Sequence, residues 1–595
     1  MTTNEKIAKV RALMQKNGVS ACIVPSADPH MSEYFSDHWK TRRYLSGFTG
    51  SAGTYLITNE MAGLWTDGRY YVQAAAEIAD SEATLFKAAE PDCPTVPKYL
   101  AENLPEKSVV GINGKLFSAA TVKEMQKLFA KKEISIRNDV DYGNDVWEDR
   151  PAEELTPVYS LDVQYAGKAV AQKLEELRGK LKEVEADALV LNKLDCIAWL
   201  YNIRSRDVSM NPVVISYAFV SPTEAILFAD DSRIPAEVRA TLAENGVAIR
   251  PYDEVFSYVA KLDQKLAVLC DEKELNYSLY CAVEENPSLT AVSGTEPVQL
   301  LKACKNETET ANTYKAYLKD GIAEAEFYGW LFEELEKGTA LTEWTASEKL
   351  GECRAQQEHY SEDSFTTIMA YRENAAMMHY APSAQHSKSL HASHFLLNDS
   401  GGQYLEGTTD TTRTFALGEI TEEERRDYTL VLKAVIALSR VRFKKGMSGG
   451  QLDVLSRSVL WEHGLDYRCG TGHGVGYLLN VHEGPQSFGN KDIVLQEGMV
   501  LTIEPGIYTE GSHGIRIENT AVVVPDGETE YGKFYRFDTF TVVPIDATCL
   551  ELSRLTDTEI EWLNRYNAHV RETLTPHLSA RAKAWVEKMT QPVAR

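Results

Sequence analysis

The stretch FLLNDSGGQYLEGTTDTTRTFAL, residues 395–417, constrains this chain more than any other. FLLNDSGGQYL and TTDTTRTFAL suit two strands, and LEGT suits the turn between them. Asp399 and Asp410 stand eleven residues apart. In a regular hairpin with a two-residue loop, positions separated by an odd number face the same side, so both carboxylates can point to one face. Two like charges there repel, and one protonates unless a cation lies between them. The bland alternative is an Asp-Ser-Gly turn beside a solvated Asp410.

The surroundings weigh against the bland alternative. Nine of the thirteen histidines fall between residues 359 and 513. VLTIEPGIY (500–508) is an apolar strand ending at Glu504. GIRIENTAVVV (514–524) alternates, with Ile515 and Ile517 on one face and Arg516 and Glu518 on the other. A buried glutamate beside an arginine needs partners. CGTGHGVGYLLNVHEGP (469–485) carries His473 among glycines and His482 nine residues later. Asp399, Asp410, His473, Glu504 and Glu518 together form a hard, oxygen-rich donor set. It suits Mn²⁺, Mg²⁺, Co²⁺ or Zn²⁺ better than copper or an iron–sulfur cluster. Five donors exceed the usual needs of one tetrahedral zinc, whereas two metals bridged by carboxylates would use them all.

The rest of the chain bounds the possibilities. Its 595 residues call for about two to four domains. A net charge of −25 repels nucleic-acid phosphates and anionic membranes, so neither is an expected partner. The N-terminal MTTNEKIAKVRALMQKNGVSACIVPS reads as an amphipathic helix and a strand rather than a signal peptide. Nine scattered cysteines without a CxxC read as reduced thiols in a cytoplasmic setting.

Three domains are expected, at 1–156, 157–300 and 301–595, the last with a helical tail from about 547. WEDRPAEELTP (147–157) separates the first two. Both open with an amphipathic helix, a short turn and a buried strand, and TDGRYYVQAA (66–75) resembles DDSRIPAEV (230–238). They read as a diverged duplication, against the alternative that any two α/β domains share this much. In the third domain, 305–338, 341–360 and 557–574 are helix patterns.

At the candidate site residues the chain resembles a known family. MMHYAP (377–382), DSGGQYLEGTTDTTRT (399–414), GTGHGVG and VHEGP (470–485), TIEPGIY (502–508) and GIRIEN (514–519) occur in the order and spacing of three-domain aminopeptidase P enzymes. These are pita-bread metallopeptidases, related to prolidase and methionine aminopeptidase. The likeness extends through YLSGFTGSAGTYLIT, GLWTDGRYYVQA and IAWLYNIRSRDV to the tail. The resemblance implies an α/β (α+β) fold. Two related N-terminal α/β domains precede a C-terminal pita-bread catalytic domain with a curved antiparallel sheet.

It also implies residue roles. Asp399 binds one metal, Asp410 and Glu518 bridge two, and His473 and Glu504 hold the second. Glu504 accepts the proton of the attacking water. His379 and His482 hydrogen-bond the scissile amide and the oxyanion. Arg516 orients a bridging carboxylate or the substrate backbone, and Tyr508 supports the intermediate. The cofactors implied are two divalent cations, Mn²⁺ ahead of Co²⁺ or Zn²⁺. The activity implied is attack of a metal-bridging hydroxide on the X-Pro bond of peptides with proline second, by a homodimer. A prolidase acting on X-Pro dipeptides is the runner-up, and a non-catalytic peptide-binding module the third reading. One departure stands out: Cys469 occupies a position where many relatives carry histidine.

Several features read as decoys. HSKSLHASH (386–394) is expected to be a solvated loop without a carboxylate partner. GTGHGVG lacks the last glycine of GxGxxG, and no P-loop or GxSxG elbow occurs. Arg204, Arg206 and Asp207 either approach the site or form a structural turn network.

Overall fold

The computed structural model describes residues 1–88 and 90–595. The described chain forms two units, one of Met1–Leu161 with Lys168–Val298, the other of Asp162–Gly167 with Gln299–Arg595. The first unit contains the same α/β layout twice. Its first sheet uses strands Ala21–Pro25, Thr54–Thr58, Ala62–Thr66, Thr84–Lys87, Val109–Gly111 and Ser135–Arg137. Numbered in chain order, these lie 4-3-2-1-5-6 across the sheet. The second sheet uses Ala188–Leu191, Tyr217–Val220, Ala225–Phe228, Ala248–Arg250, Leu266–Cys270 and Leu289–Ser293 in the same order. The pairing senses also agree: strands 1–2 and 2–3 are antiparallel, and 3–4, 1–5 and 5–6 are parallel in both. Shared order and shared sense in a mixed sheet go beyond generic α/β likeness. The two similar stretches, 66–75 and 230–238, each run from the end of the third strand into the helix leading to the fourth, Tyr71–Glu77 or Ala236–Glu244.

In the second unit, the helix Glu307–Glu336 begins at a capping box between Asn306 and Glu309. The helix Glu343–Ala355 follows. The tail helix, Asp557–Leu574, has the bounds its pattern predicts, with Thr556 and Glu559 as capping box. Ile560, Leu563, Asn567, Val570 and Leu574 recur at helical spacing and are buried on its inner face. Each such buried leucine or valine is worth roughly 1.5–3 kcal/mol relative to exposure. The antiparallel surface that these helices cover is cut into four short ladders of three, three, six and two strands.

The acidic hairpin spans two of those ladders. Phe395–Ser400 pairs with Thr411–Ala416, with Asp399 opposite Thr412. The same register runs on through Gln403–Thr408 and Tyr404–Gly407 to a turn at Leu405–Glu406. It brings Asp410 opposite Gly401, two residues from Thr412, and so onto the face of Asp399. The strands are not continuous as the sequence suggests: the ladder breaks at Gly401 and at 409–410, and the tip joins a sheet with Tyr360–Asp363. The break follows from close approach, since a Cβ on Gly401 would stand 1.9 Å from the carbonyl oxygen of Thr409. Gly401→Ala is expected to destabilise the second unit by about 1–3 kcal/mol. Thermal unfolding of that unit checks it; an unchanged midpoint would show that the bend tolerates a side chain.

Candidate metal centre

Five segments supply the expected donors. Asp399 lies in strand Phe395–Ser400, Asp410 in the hairpin break and His473 in the short strand His473–Gly474. Glu504 follows strand Val500–Ile503, and Glu518 lies between His513–Arg516 and Asn519–Thr529. Backbone bonds tie these segments together. Glu504 N donates to Thr471 O at 2.9 Å, and Glu518 N to Thr412 O at 3.1 Å.

The donor atoms converge. One ligand atom each from Asp410, His473 and Glu518 lies within 4.8 Å of the other two. His473 Nε2 is 3.4 Å from Asp410 Oδ2 and 3.4 Å from Glu504 Oε1. His473 Nδ1 lies 2.9 Å from the carbonyl of Gly474. A carbonyl can only accept, so the proton sits on Nδ1 and Nε2 is directed at the carboxylates. Arg516 faces the cluster from one side. Its Nη2 donates to Asp399 Oδ2, its Nη1 to the Tyr508 hydroxyl at 2.7 Å and its Nε to the Thr412 hydroxyl at 3.2 Å. Asp399, Asp410, Glu518 and Arg516 are all buried.

That single guanidinium does not satisfy the carboxylates. Asp399 Oδ1 and Glu518 Oε1 are both buried without a hydrogen-bond partner. Buried unpaired oxygens of this kind are costly. Burial holds the Asp399 carboxyl up at about 6, with Arg516 opposing. Burial, and then the charges of Asp410 and Glu504, raise Glu518 well above the ordinary carboxylate range. Burial alone would lower His473, but Asp410 and Glu504 override it and hold the ring up at about 9. A divalent cation would replace these protons and engage the orphaned oxygens, and four carboxylates with one imidazole are chemically suited to one.

The other expected residues are placed unequally. His482 stacks edge-on against His473, ring centroids 4.2 Å apart. Tyr508 and Arg516 adjoin the cluster. His379 lies in an exposed turn after the short helix Arg372–Ala376. Burial followed by the Glu504 charge pushes the Cys469 thiol up to about 11, with Arg516 and Tyr508 opposing.

The sequence reading missed Thr412 and Thr502. The Thr412 hydroxyl donates to Glu518 Oε2 at 2.8 Å, and the Thr502 hydroxyl to Glu504 Oε1 at 3.1 Å. Strand alternation was the available signal: Thr412 is opposite Asp399, and Thr502 stands two residues before Glu504.

One expectation is corrected. His394, in the histidine-rich loop, does have a carboxylate partner: its Nδ1 is 3.0 Å from Glu424 Oε1. Glu424 also closes the capping box of helix Glu422–Ser439, so the contact anchors the loop to a helix start. Asp207 belongs to a turn network in the first unit, 2.5 Å from Arg233 Nη1, while the buried Arg204 donates to Ala198 O at 2.8 Å.

Residues 314–525 match metallopeptidase family M24, and 533–593 match the C-terminal region of that family. Residues 6–149 and 149–309 each match the creatinase/prolidase N-terminal domain. The chain is 39% identical over 621 residues to a probable Xaa-Pro aminopeptidase P of Tuber melanosporum, covering 99% of each. It is 37% identical over 648 residues to aminopeptidase P1 of Arabidopsis thaliana, again covering 99% of each. A crystal structure of an X-prolyl aminopeptidase from Caenorhabditis elegans, described as a cytosolic enzyme with a di-nuclear active site, superposes with a TM-score of 0.95. That chain is 36% identical, and each covers 100% of the other.

The proton-laden cluster predicts how pH and metal interact. Raised carboxyl pKa values withdraw stability as pH climbs from about 4 through the folded value. The raised His473 pKa contributes stability that is full below about 6.5 and lost as pH passes about 9. Both slopes have the same sign, so these groups make the metal-free protein less stable toward alkaline pH. A cation must displace those protons, so Mn²⁺ should raise the melting temperature more at about pH 8.5 than at about pH 6. Melting curves with chelator and with metal check this; an equal metal-induced shift at both would contradict it.

Proposed function

The chain belongs to metallopeptidase family M24 and, within it, to the aminopeptidase P enzymes, and we propose that it releases the N-terminal residue from peptides with proline in second position. The observation carrying the reading is the cluster of Asp399, Asp410, His473, Glu504 and Glu518, in which two buried carboxylate oxygens have no partner. These five residues are the proposed ligands of two divalent cations, with Asp410 and Glu518 shared between them. Mn²⁺ is the proposed metal because the donors are hard oxygens and one imidazole, without thiolate. When bound, the metals supply Lewis-acid polarisation of the scissile carbonyl and a water acidified toward a pKa of ~7.

The chain's own groups supply the rest. Glu504 is the proposed proton acceptor, its Oε1 oriented by Thr502. His482, beside His473, is the proposed donor to the developing oxyanion. His379 is proposed to reach the scissile amide from its turn. An X-Pro amide bears no hydrogen, so the site cannot recognise that bond through an amide N–H. The leaving nitrogen must instead receive a proton. Arg516, held by Tyr508 and Asp399, pre-organises the acidic wall.

The proposal extends to a homodimer in the cytoplasm and to three domains at 1–156, 157–300 and 301–595. The C. elegans relative, described as cytosolic, supports the compartment. No helix among the described residues is long and apolar enough to cross a membrane.

Cleavage by metal-stripped enzyme, with Mn²⁺, Co²⁺ or Zn²⁺ restored in turn, tests the activity. X-Pro-Pro tripeptides should release X only with metal, and X-Ala-Ala should not be cut. Asp410→Asn should abolish release, and His482→Ala should lower kcat by about 10²–10³-fold. Cleavage confined to X-Pro dipeptides would mean a prolidase; binding without cleavage would mean a non-catalytic module.

A further inference from the structure

Behind the acidic cluster lies a buried guanidinium with no role in the scheme above. Arg413 follows Thr412 in strand Thr411–Ala416, and alternation turns it to the face opposite Asp399 and Thr412. Arg413 is 1% exposed. Its Nη1 donates to Thr412 O at 2.8 Å and to Glu518 O, and its Nε to Pro544 O at 3.0 Å. Its Nη2 donates to Asn519 Oδ1 at 2.8 Å, Val543 O at 2.9 Å and the Tyr566 hydroxyl at 2.6 Å. All of these acceptors are neutral. A buried cation spent entirely on neutral acceptors is an expensive way to tie strands together. Its charge is instead felt by the buried Glu324 carboxyl.

The contacts form a chain from the tail to a proposed ligand. Tyr566 belongs to the tail helix Asp557–Leu574. Its oxygen accepts from Arg413 and lies 2.9 Å from Val543 O, to which its single proton can go. Arg413 grips the carbonyls of Thr412 and Glu518. Thr412 and Glu518 are already joined twice, by Glu518 N to Thr412 O at 3.1 Å and by the Thr412 hydroxyl to Glu518 Oε2 at 2.8 Å. A shift of the guanidinium therefore moves the Glu518 carboxylate and its supporting hydroxyl together.

We propose that Arg413 and Tyr566 are positioning residues of the metal centre, so that the C-terminal tail is a working part of the site. The inference rests on the proposed role of Glu518 as a ligand. Outer groups that orient a ligand typically change metal affinity by about 10–100-fold when removed.

Calorimetric titration of Mn²⁺ into the metal-stripped full-length protein tests it. Tyr566→Phe keeps the ring and its stacking on Trp562, centroids 5.5 Å apart, and removes only the hydroxyl. It should weaken Mn²⁺ binding about 10-fold, with activity restored at saturating metal. Arg413→Lys keeps the charge but loses the fork, and should weaken binding by up to about 100-fold. Val570→Ala, in the same helix, should lower the melting temperature and leave Mn²⁺ affinity unchanged. Wild-type affinity in both Tyr566→Phe and Arg413→Lys would overturn the proposal, as would equal weakening in Val570→Ala. A wild-type protein that binds no divalent cation would instead refute the metal-centre reading itself, and the inference with it.

Discussion

Three buried carboxylates and a partly exposed fourth, Glu504, repel one another, and the second unit is organised around holding them together. Two unit charges about 4 Å apart interact by roughly 4 kcal/mol at the effective dielectric constant near protein surfaces. A few such pairs rival the whole stability of a domain, about 5–15 kcal/mol. Among the described residues, Arg516 is the one guanidinium placed directly against them, paired with Asp399. The remaining imbalance shows as raised carboxyl pKa values and as two buried oxygens without partners. Protonation or divalent cations can relieve it, and only cations leave every carboxylate ionised.

Holding such a cluster requires a rigid scaffold, and the scaffold behind the hairpin is polar. Asn398 and Ser400 flank Asp399 and face the other way. Glu324, from the helix Glu307–Glu336, accepts from Asn398 Nδ2 at 3.0 Å and from the Ser400 hydroxyl at 3.1 Å. Arg354 bonds Asp320 at 2.8 Å, Glu324 at 3.0 Å and Ser400 at 3.0 Å, and is fully buried. A buried ionic network of this kind, which leaves Arg354 Nη1 without a hydrogen bond, contributes little net stability, because desolvation offsets the attraction. Its directional bonds do fix strand position more tightly than apolar packing would. Asp399 is therefore gripped from behind on one side, as Glu518 is through Arg413 on the other.

The duplicated N-terminal architecture was visible as a repeated helix-turn-strand opening because both copies obey the same burial pattern. Its strand order was not visible. The copies share 4-3-2-1-5-6, but which strands pair depends on contacts far apart in the chain, such as Ala21 with Val110 and Val268 with Ala188. The six residues Asp162–Gly167, which group with the second unit, carry no compositional mark. Their place comes from bonds such as Asn306 Nδ2 to Ala166 O at 2.9 Å.

Much of the site could be read from local rules. Odd spacing in a hairpin put Asp399 and Asp410 on one face; strand alternation paired Arg516 with Glu518; glycines around His473 signalled close approach. Those rules act over a few residues, so the sequence alone determined which donors exist and which way each points along its own strand. Only the tertiary structure decided that Arg516 pairs with Asp399 rather than with Glu518, and that Thr412 supports Glu518 across 106 residues. It also decided that Tyr566 reaches the hairpin through Arg413. The physical reason is that a hydrogen bond depends on positions in space to within a few tenths of an ångström. Sequence periodicity specifies faces, but not the packing that sets those positions.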